Sequence, residues 1–402
     1  MKHILIFSHA LELGGAEKSL IGLLETLDPS RVDVDLFLMR HEGEWLNAIP
    51  EYVHLLPEEP AYTVLGRPMV TTVKEGHVLL TGSRYLGKKA AERYNKKEGL
   101  SHSNVALEYS HKYTKWLMPK INKNTEYDLA VSFLTPHYFA AEKVNARKKI
   151  AWIHTDYAAI QVNTASELKM WDAYDNIISI SDAVTESFVK TFPALQDKII
   201  QIGNILPAKL VKKMAEETVS VEDEMPANSL KLLSIGRFSE AKNFDNVPDI
   251  ISHLLDNGID AHWYLIGFGP DEELIRQRID EAGMQDRVHI LGKKDNPYPY
   301  IKACDLYVQP SRYEGNCVSV REAQMLGKPV VITNYATSAS QLEDGVDGVI
   351  VPMENAACAE GIAQLLKDSE KMHRLSETCL TRDYSNEKEI EKFFSILEDE
   401  SE

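Results

Sequence analysis

Glu314 and Glu322 stand eight residues apart on either side of a small polar elbow, Gly315-Asn316-Cys317. If a helix opens near Cys317, its free first-turn amides point toward Glu314, and such amides attract anions. Carboxylates repel anions. The pair is therefore either ordinary surface charge or two acids set to accept from neutral hydroxyls beside a phosphate cradle. Upstream, S-I-G-R-F-S-E-A-K-N-F places Arg237 and Lys242 in one loop. A guanidinium fork and an ammonium point charge suit a diphosphate, although taken singly each is explained as a surface cation. Gly14-Gly15 permits close backbone approach after the first apolar run, without the G-x-G-x-x-G spacing of a dinucleotide site. His154 closes the run A-W-I-H, and Gly267 sits in the turn I-G-F-G-P.

These residues need elements to position them. Short β-rich runs alternate with amphipathic segments along the whole chain, a pattern that predicts parallel βαβ units. Strands are expected over 3–8, 32–39, 129–133, 149–154 and 176–180, then over 230–235, 261–266, 288–291, 306–308, 330–333 and 349–351. Helices are expected over 17–27, 138–144, 182–191, 246–257 and 272–282. The helix opened by the elbow should end at Gly327, with Lys328-Pro329 as its stop. Restart of the pattern implies an α/β domain over 1–205 and a second over 206–384, with a C-terminal helix within 385–402 crossing back to the first. An acidic connector over 216–226 has little with which to build a core. The expected class is α/β: two doubly wound, Rossmann-like domains facing a central cleft, where the carboxyl ends of open sheets bind ligands.

Composition narrows the function. A length of 402 residues suits two domains, and a formal charge of −17 argues against a nucleic-acid partner. Cys304, Cys317, Cys358 and Cys379 show no C-x-x-C spacing, which points to a reducing compartment and away from disulfides or zinc. The N-terminal apolar run is too short for a signal peptide, and no stretch reaches the ~18 apolar residues of a spanning helix. A cytoplasmic location is expected. One region runs against the acidic trend: residues 67–123 carry twelve Lys or Arg, against five acids between 75 and 126. That is either a solvated helical excursion or a basic face for anionic lipid on the cytoplasmic side of a membrane.

In this order the motifs resemble the family-4 retaining glycosyltransferases of GT-B architecture. The resemblance rests on the E-x7-E spacing of Glu314/Glu322, the Gly236-Arg237…Lys242 arrangement, the G-x-G-P turn and the Leu291-Gly292 turn. It is strongest over 232–352 and looser up to Pro207. It implies metal-independent transfer of a sugar from a nucleotide-sugar, by base rate a UDP-sugar, to a hydroxyl of a glycan or lipid-linked acceptor in bacterial surface-polysaccharide assembly. Carried over, Glu322 would hold ribose hydroxyls, while Glu314 and the amides of Asn316, Cys317, Val318 and Ser319 would meet the donor sugar and its phosphate. Arg237 and Lys242 would stabilise the departing diphosphate. Gly15 would let the first domain close on the phosphates, Gly267 would border the donor, and the backbone near Lys293 would line the base pocket. His154 would lie near the reacting carbon. Two departures touch the donor-sugar side: Asn316-Cys317 at the elbow, and T-S-A-S-Q over 337–341. The stretch 57–126 aligns with nothing in the family and is assigned to the acceptor. The rivals are a sugar-nucleotide epimerase on the same architecture and a non-catalytic nucleotide-sugar-binding protein.

Overall fold

The computed structural model describes residues 1–12, 14–100, 103–217, 221–226, 229–315 and 317–399. Two compact units emerge: Met1–Leu206 joined by the segment from Asn386 onward, and Pro207–Ser385.

The first unit is built on a parallel sheet of β1 (Lys2–Ser8), β2 (Val32–Leu38), β3 (His54–Leu55), β4 (Tyr127–Ser132), β5 (Ala146–Ile153), β6 (Asn176–Ser179) and β7 (Ile199–Gln201). Their spatial order is β3-β2-β1-β4-β5-β6-β7. The direction of strand addition reverses between β1 and β4, and a crevice opens at the carboxyl ends of such a pair. Ile4, Leu5, Ile6 and Phe7 are all buried, as expected of a parallel strand covered on both faces. One face packs on an aromatic core that includes Tyr62, Phe139, Trp171 and Phe188.

The second unit repeats the plan with β8 (Leu230–Ile235), β9 (Ala261–Ile266), β10 (Val288–Gly292), β11 (Leu306–Gln309), β12 (Val330–Thr333) and β13 (Val349–Val351). Their order is β10-β9-β8-β11-β12-β13, so the reversal falls between β8 and β11. Helices Val247–Asp256 and Asn355–Lys367 share a core with Trp263 and Leu265. At the end of the helix Val318–Met325, Gly327 takes a φ of +70° and Lys328 N donates to Ala323 O at 3.0 Å, a closure that favours glycine.

The structure departs from the sequence reading at the connector and at two short strands, and it gives the basic region its helices. The acidic connector is not bare: Val221 and Met225, four residues apart, lie on one side of a helical turn and are buried. Glu224 is held there by Lys294 at 2.7 Å. Residues 67–123 hold an antiparallel helical pair, Val78–Glu98 and Val105–Thr114, tied by Ser83 Oγ to Tyr113 O at 2.6 Å. Several of the region's cations are spent internally. Arg84 donates to the carbonyls of Val64 and Arg67, Lys112 to Ser166 Oγ, and Lys115 pairs with Glu142. The short strands β3 and β7 carry too few residues to show a periodicity. The C-terminal helix Ile390–Glu398 lies on the first unit, where Lys148 Nζ donates to Ile396 O at 3.1 Å and Arg31 meets Glu398 at 2.7 Å.

Candidate functional site: the crevice between β8 and β11

The loops leaving β8 and β11 flank the reversal point of the second sheet, and they carry the predicted cations and the first acid. Lys242 Nζ lies 2.6 Å from Glu314 Oε1, which also accepts from Ser311 Oγ at 2.6 Å. Both charged side chains are largely buried. Burial works to lower the Lys242 pKa, but Cys317 and Glu314 outweigh it and hold the ammonium above its ordinary value. The two loops are stitched together. Arg312 makes a bidentate pair with Asp245 at 2.9 and 2.7 Å, Arg312 N donates to Ala241 O, and Asn243 Nδ2 donates to Pro310 O at 2.8 Å. The Lys242–Glu314 contact is therefore held by a rigid frame rather than by two mobile loops.

This pairing amends the expectation that cations and acids serve different groups. One oxygen of Glu314 is committed to Lys242 and Ser311. Arg237 is different: it is exposed just past β8, and among the described residues its guanidinium has no hydrogen-bond or ion-pair partner.

The elbow also differs from the sequence reading. Cys317 is the residue before the helix Val318–Met325, and its amide is already taken, donating to Gln341 Oε1 at 2.8 Å. Gln341 Nε2 returns a bond to Cys317 O at 3.3 Å, and Thr337 Oγ1 donates to Glu314 O at 2.6 Å. The divergent stretch 337–341 thus braces the elbow. Cys317 cannot offer its amide to a phosphate while this clamp holds. Its thiol is buried, which pushes its pKa up. Asn316 lies outside the described residues. Val318 and Ser319 are left to present first-turn amides, which have no carbonyl partner within a helix. Ser319 Oγ reaches back to Ile235 O at 3.3 Å.

Glu322, in the second turn, is buried and accepts from Tyr298 OH at 2.8 Å; burial and the neighbouring carboxylate raise the Tyr298 phenol far above its ordinary pKa. Gly267 has a packing reason for being glycine. Its φ is +150°, and a Cβ there would stand 1.9 Å from Gly236 O. Lys293 is exposed, 4.0 Å from Asp295. Two predicted residues belong to the other unit: Gly15, which opens the helix Gly15–Thr26, and His154, which follows β5. The structure thus gathers Lys242, Glu314, Cys317 and Ser319 around one crevice, with Arg237 on its rim.

Sequence reasoning missed Ser311, Asp245, Arg312, Gln341 and Tyr298. Gln341 stood in a stretch already marked as divergent, and Ser311 lies only three residues before Glu314. Tyr298 gave no signal, because its partner is distant in sequence.

Residues 216–379 match the family model of glycosyl transferases group 1. That stretch contains every predicted residue of the β8/β11 crevice. The chain is 25% identical over 224 residues to the lipopolysaccharide core biosynthesis glycosyltransferase LpsE of Rhizobium meliloti, covering 53% of this chain and 64% of that protein. It is 28% identical over 151 residues to the alpha-D-kanosaminyltransferase of Streptomyces kanamyceticus, covering 37% and 39%. The chain therefore spans less than two thirds of the length of either relative. Among solved structures, Anabaena Alr3699/HepE in complex with UDP and glucose superposes with a TM-score of 0.65 at 17% identity, over 98% of this chain and all of that one. The two parallel-sheet α/β units have the GT-B fold.

Proposed function

We infer that the protein is a retaining glycosyltransferase of the family-4 type, moving a sugar from a nucleotide-sugar, with UDP as the expected nucleotide, to a hydroxyl of a glycan or lipid-linked acceptor. The observation that carries this is the β8/β11 crevice: a fixed Lys242–Glu314 pair and an exposed Arg237 guanidinium at the reversal point, inside the stretch matched by the group 1 model. The names of LpsE and of the HepE complex with UDP and glucose support the choice of reaction and nucleotide.

In this reading the donor diphosphate seats on Arg237, Lys242 and the amides of Val318 and Ser319, and Glu322 accepts from ribose hydroxyls. The second unit is the donor side and the first the acceptor side. The acceptor oxygen forms its bond to the anomeric carbon on the face from which the diphosphate leaves, and its proton passes to the departing phosphate oxygen. Arg237 and Lys242 meet the charge that develops on that oxygen, with no metal assigned to the step. Glu314, through its oxygen not engaged by Lys242, accepts from a donor-sugar hydroxyl. His154 positions the sugars from the first unit. Bacterial surface-polysaccharide assembly, at the cytoplasmic face of a membrane, is the proposed setting.

The membrane contact has a physical basis beyond charge. Leu79 and Trp116 are 78% and 77% exposed at the end of the helical pair where the chain enters and leaves it, with Leu86 and Leu117 also exposed. Lys74, Lys88, Arg93, Lys96 and Lys97 are exposed on the same segment. Apolar side chains next to lysines suit an anionic bilayer surface. Among the described residues no helix is long and apolar enough to cross a membrane.

The test is a thermal-shift series with UDP, GDP and ADP on the parent, Arg237→Ala and Glu322→Ala, followed by donor-turnover assays. A bound nucleotide raises the melting temperature by mass action. Glu322→Ala should abolish most of the shift, and Arg237→Ala should lower turnover by ~10²-fold or more, the scale of losing one stabilising donor. Parent-like behaviour of both variants refutes the assignment. Donor converted to an isomer without an acceptor would favour the epimerase.

A further inference from the structure

The first unit contains a polar cavity of its own, at the carboxyl ends of β4 and β5. It is a cavity of ≈ 80 Å³ whose walls include Glu108, Tyr138, Trp152, His154, Tyr157 and Glu167. Glu108 comes from the helix Val105–Thr114, in the stretch foreign to the glycosyltransferase resemblance. It is only 6% exposed. Its Oε1 accepts from Tyr138 OH at 2.5 Å and Ser166 Oγ at 2.7 Å, while its Oε2 is buried with no hydrogen-bond partner. Glu167 is equally buried, and its Oε2 accepts from Tyr157 OH at 2.7 Å; that hydroxyl in turn accepts from Trp171 Nε1 at 3.0 Å.

His154 adds a second unanswered atom. Its Nε2 is buried without a partner, and the ring bonds to the Phe133 backbone. Burial lowers its pKa to about 4, so the ring is neutral at pH 7. A neutral ring that donates to a carbonyl through one nitrogen has a lone pair on the other. The two unanswered atoms are therefore both acceptors. A buried acceptor left unmatched forfeits the hydrogen bond it had with water, so each calls for a donor.

The chemistry of the occupant follows. An anion brings acceptors and no donors, so it answers neither atom. A neutral molecule carrying several hydroxyls supplies donors without adding charge, and Trp152 and Tyr138 offer apolar surface to its C–H face. The volume accommodates about five to eight water-sized groups. That is the scale of one sugar ring and not of a chain.

We propose that this cavity holds the sugar ring of the acceptor, with Glu108 Oε2 and His154 Nε2 accepting hydrogen bonds from two of its hydroxyls. The assignment of the ring to the acceptor rests on the transferase reading. In this scheme Glu108 binds the acceptor directly, Glu167 is a positioning residue, and the helix Val105–Thr114 supplies acceptor selectivity.

The experiment is saturation-transfer NMR on the full chain with excess UDP present, using the methyl glycosides of glucose, galactose, N-acetylglucosamine, N-acetylgalactosamine and rhamnose as probes. At least one glycoside should receive saturation from the protein. Glu108→Gln, which keeps the side chain's shape, should reduce that signal at least tenfold while leaving the UDP-induced rise in melting temperature unchanged. Ile160→Phe, which narrows the cavity from an apolar wall, should do the same and guards against Glu108→Gln failing to fold. The proposal is overturned if no glycoside gives a signal with the parent, or if the signal survives both variants. Loss of the UDP effect in the parent would instead sink the transferase reading, and the sugar site would then stand or fall on the glycoside signal alone.

Discussion

Gly267 and Gly315 separate packing from ligand binding, and replacing each by alanine tests the distinction. At Gly267 a Cβ would lie 1.9 Å from Gly236 O and 3.1 Å from Phe238 Cε1, with φ at +150°. Gly236 cannot retreat freely, because its amide donates to Ile266 O at 3.0 Å and Gly267 itself donates to Gly292 O at 2.9 Å. A glycine-only backbone conformation costs ~1–3 kcal/mol for another residue, and overpacking adds ~1–3 more. Gly267→Ala should therefore lose about 4 kcal/mol. In a unit of this size that lowers the melting temperature by about 8–16 °C. At Gly315 a Cβ meets nothing within 4 Å. Gly315→Ala should stay within about 0.5 kcal/mol of the parent, and any effect should appear as a smaller UDP-induced shift. Differential scanning calorimetry with and without UDP measures both. A Gly267→Ala protein that melts within about 2 °C of the parent refutes the packing account, and equal destabilisation by the two variants refutes the separation.

Acidification should destabilise the first unit. Burial lowers the pKa of His111, His137 and His154 to about 3, 3 and 4 from 6.5, so below pH 6.5 the unfolded chain takes up three protons that the folded state refuses. Burial raises Glu167 to about 7, so between pH 7 and 4.5 the folded state holds one proton that the unfolded chain has released, which offsets one histidine. The net two protons predict a loss of about 2–3 kcal/mol per pH unit from pH 6 to 5, measurable by urea unfolding; a flat profile contradicts the burial of these rings. Gln341→Ala leaves the Cys317 amide and carbonyl without their clamp and should cost ~1–3 kcal/mol by the same measurement, whereas no change would mean water replaces it fully. The double variant Leu79→Ser/Trp116→Ser should bind vesicles rich in anionic lipid at least tenfold more weakly in co-sedimentation while turning over a soluble acceptor as before. Unchanged sedimentation would reject the membrane contact.

The sequence alone determined every strand of the two sheets except the short β3 and β7, because each strand end is a local matter of an apolar β-rich run meeting a polar or glycine-containing turn. The runs 230–235, 261–266, 330–333 and 349–351 coincide with β8, β9, β12 and β13, and the placement of Arg237, Lys242 and Glu314 at strand ends followed from them. The helical pair was not legible in the same way. Its outward faces carry both lysines and large apolar residues, so no clean amphipathic stripe marks its helices. Only the tertiary structure decided which charges meet. Lys242 and Glu314 are 72 positions apart, Glu108 and Ser166 58, and Cys317 and Gln341 24. The first of these pairs is chosen by the crossover order of the parallel sheet, which brings the ends of β8 and β11 side by side, and none of the three leaves a local pattern in the chain to announce it.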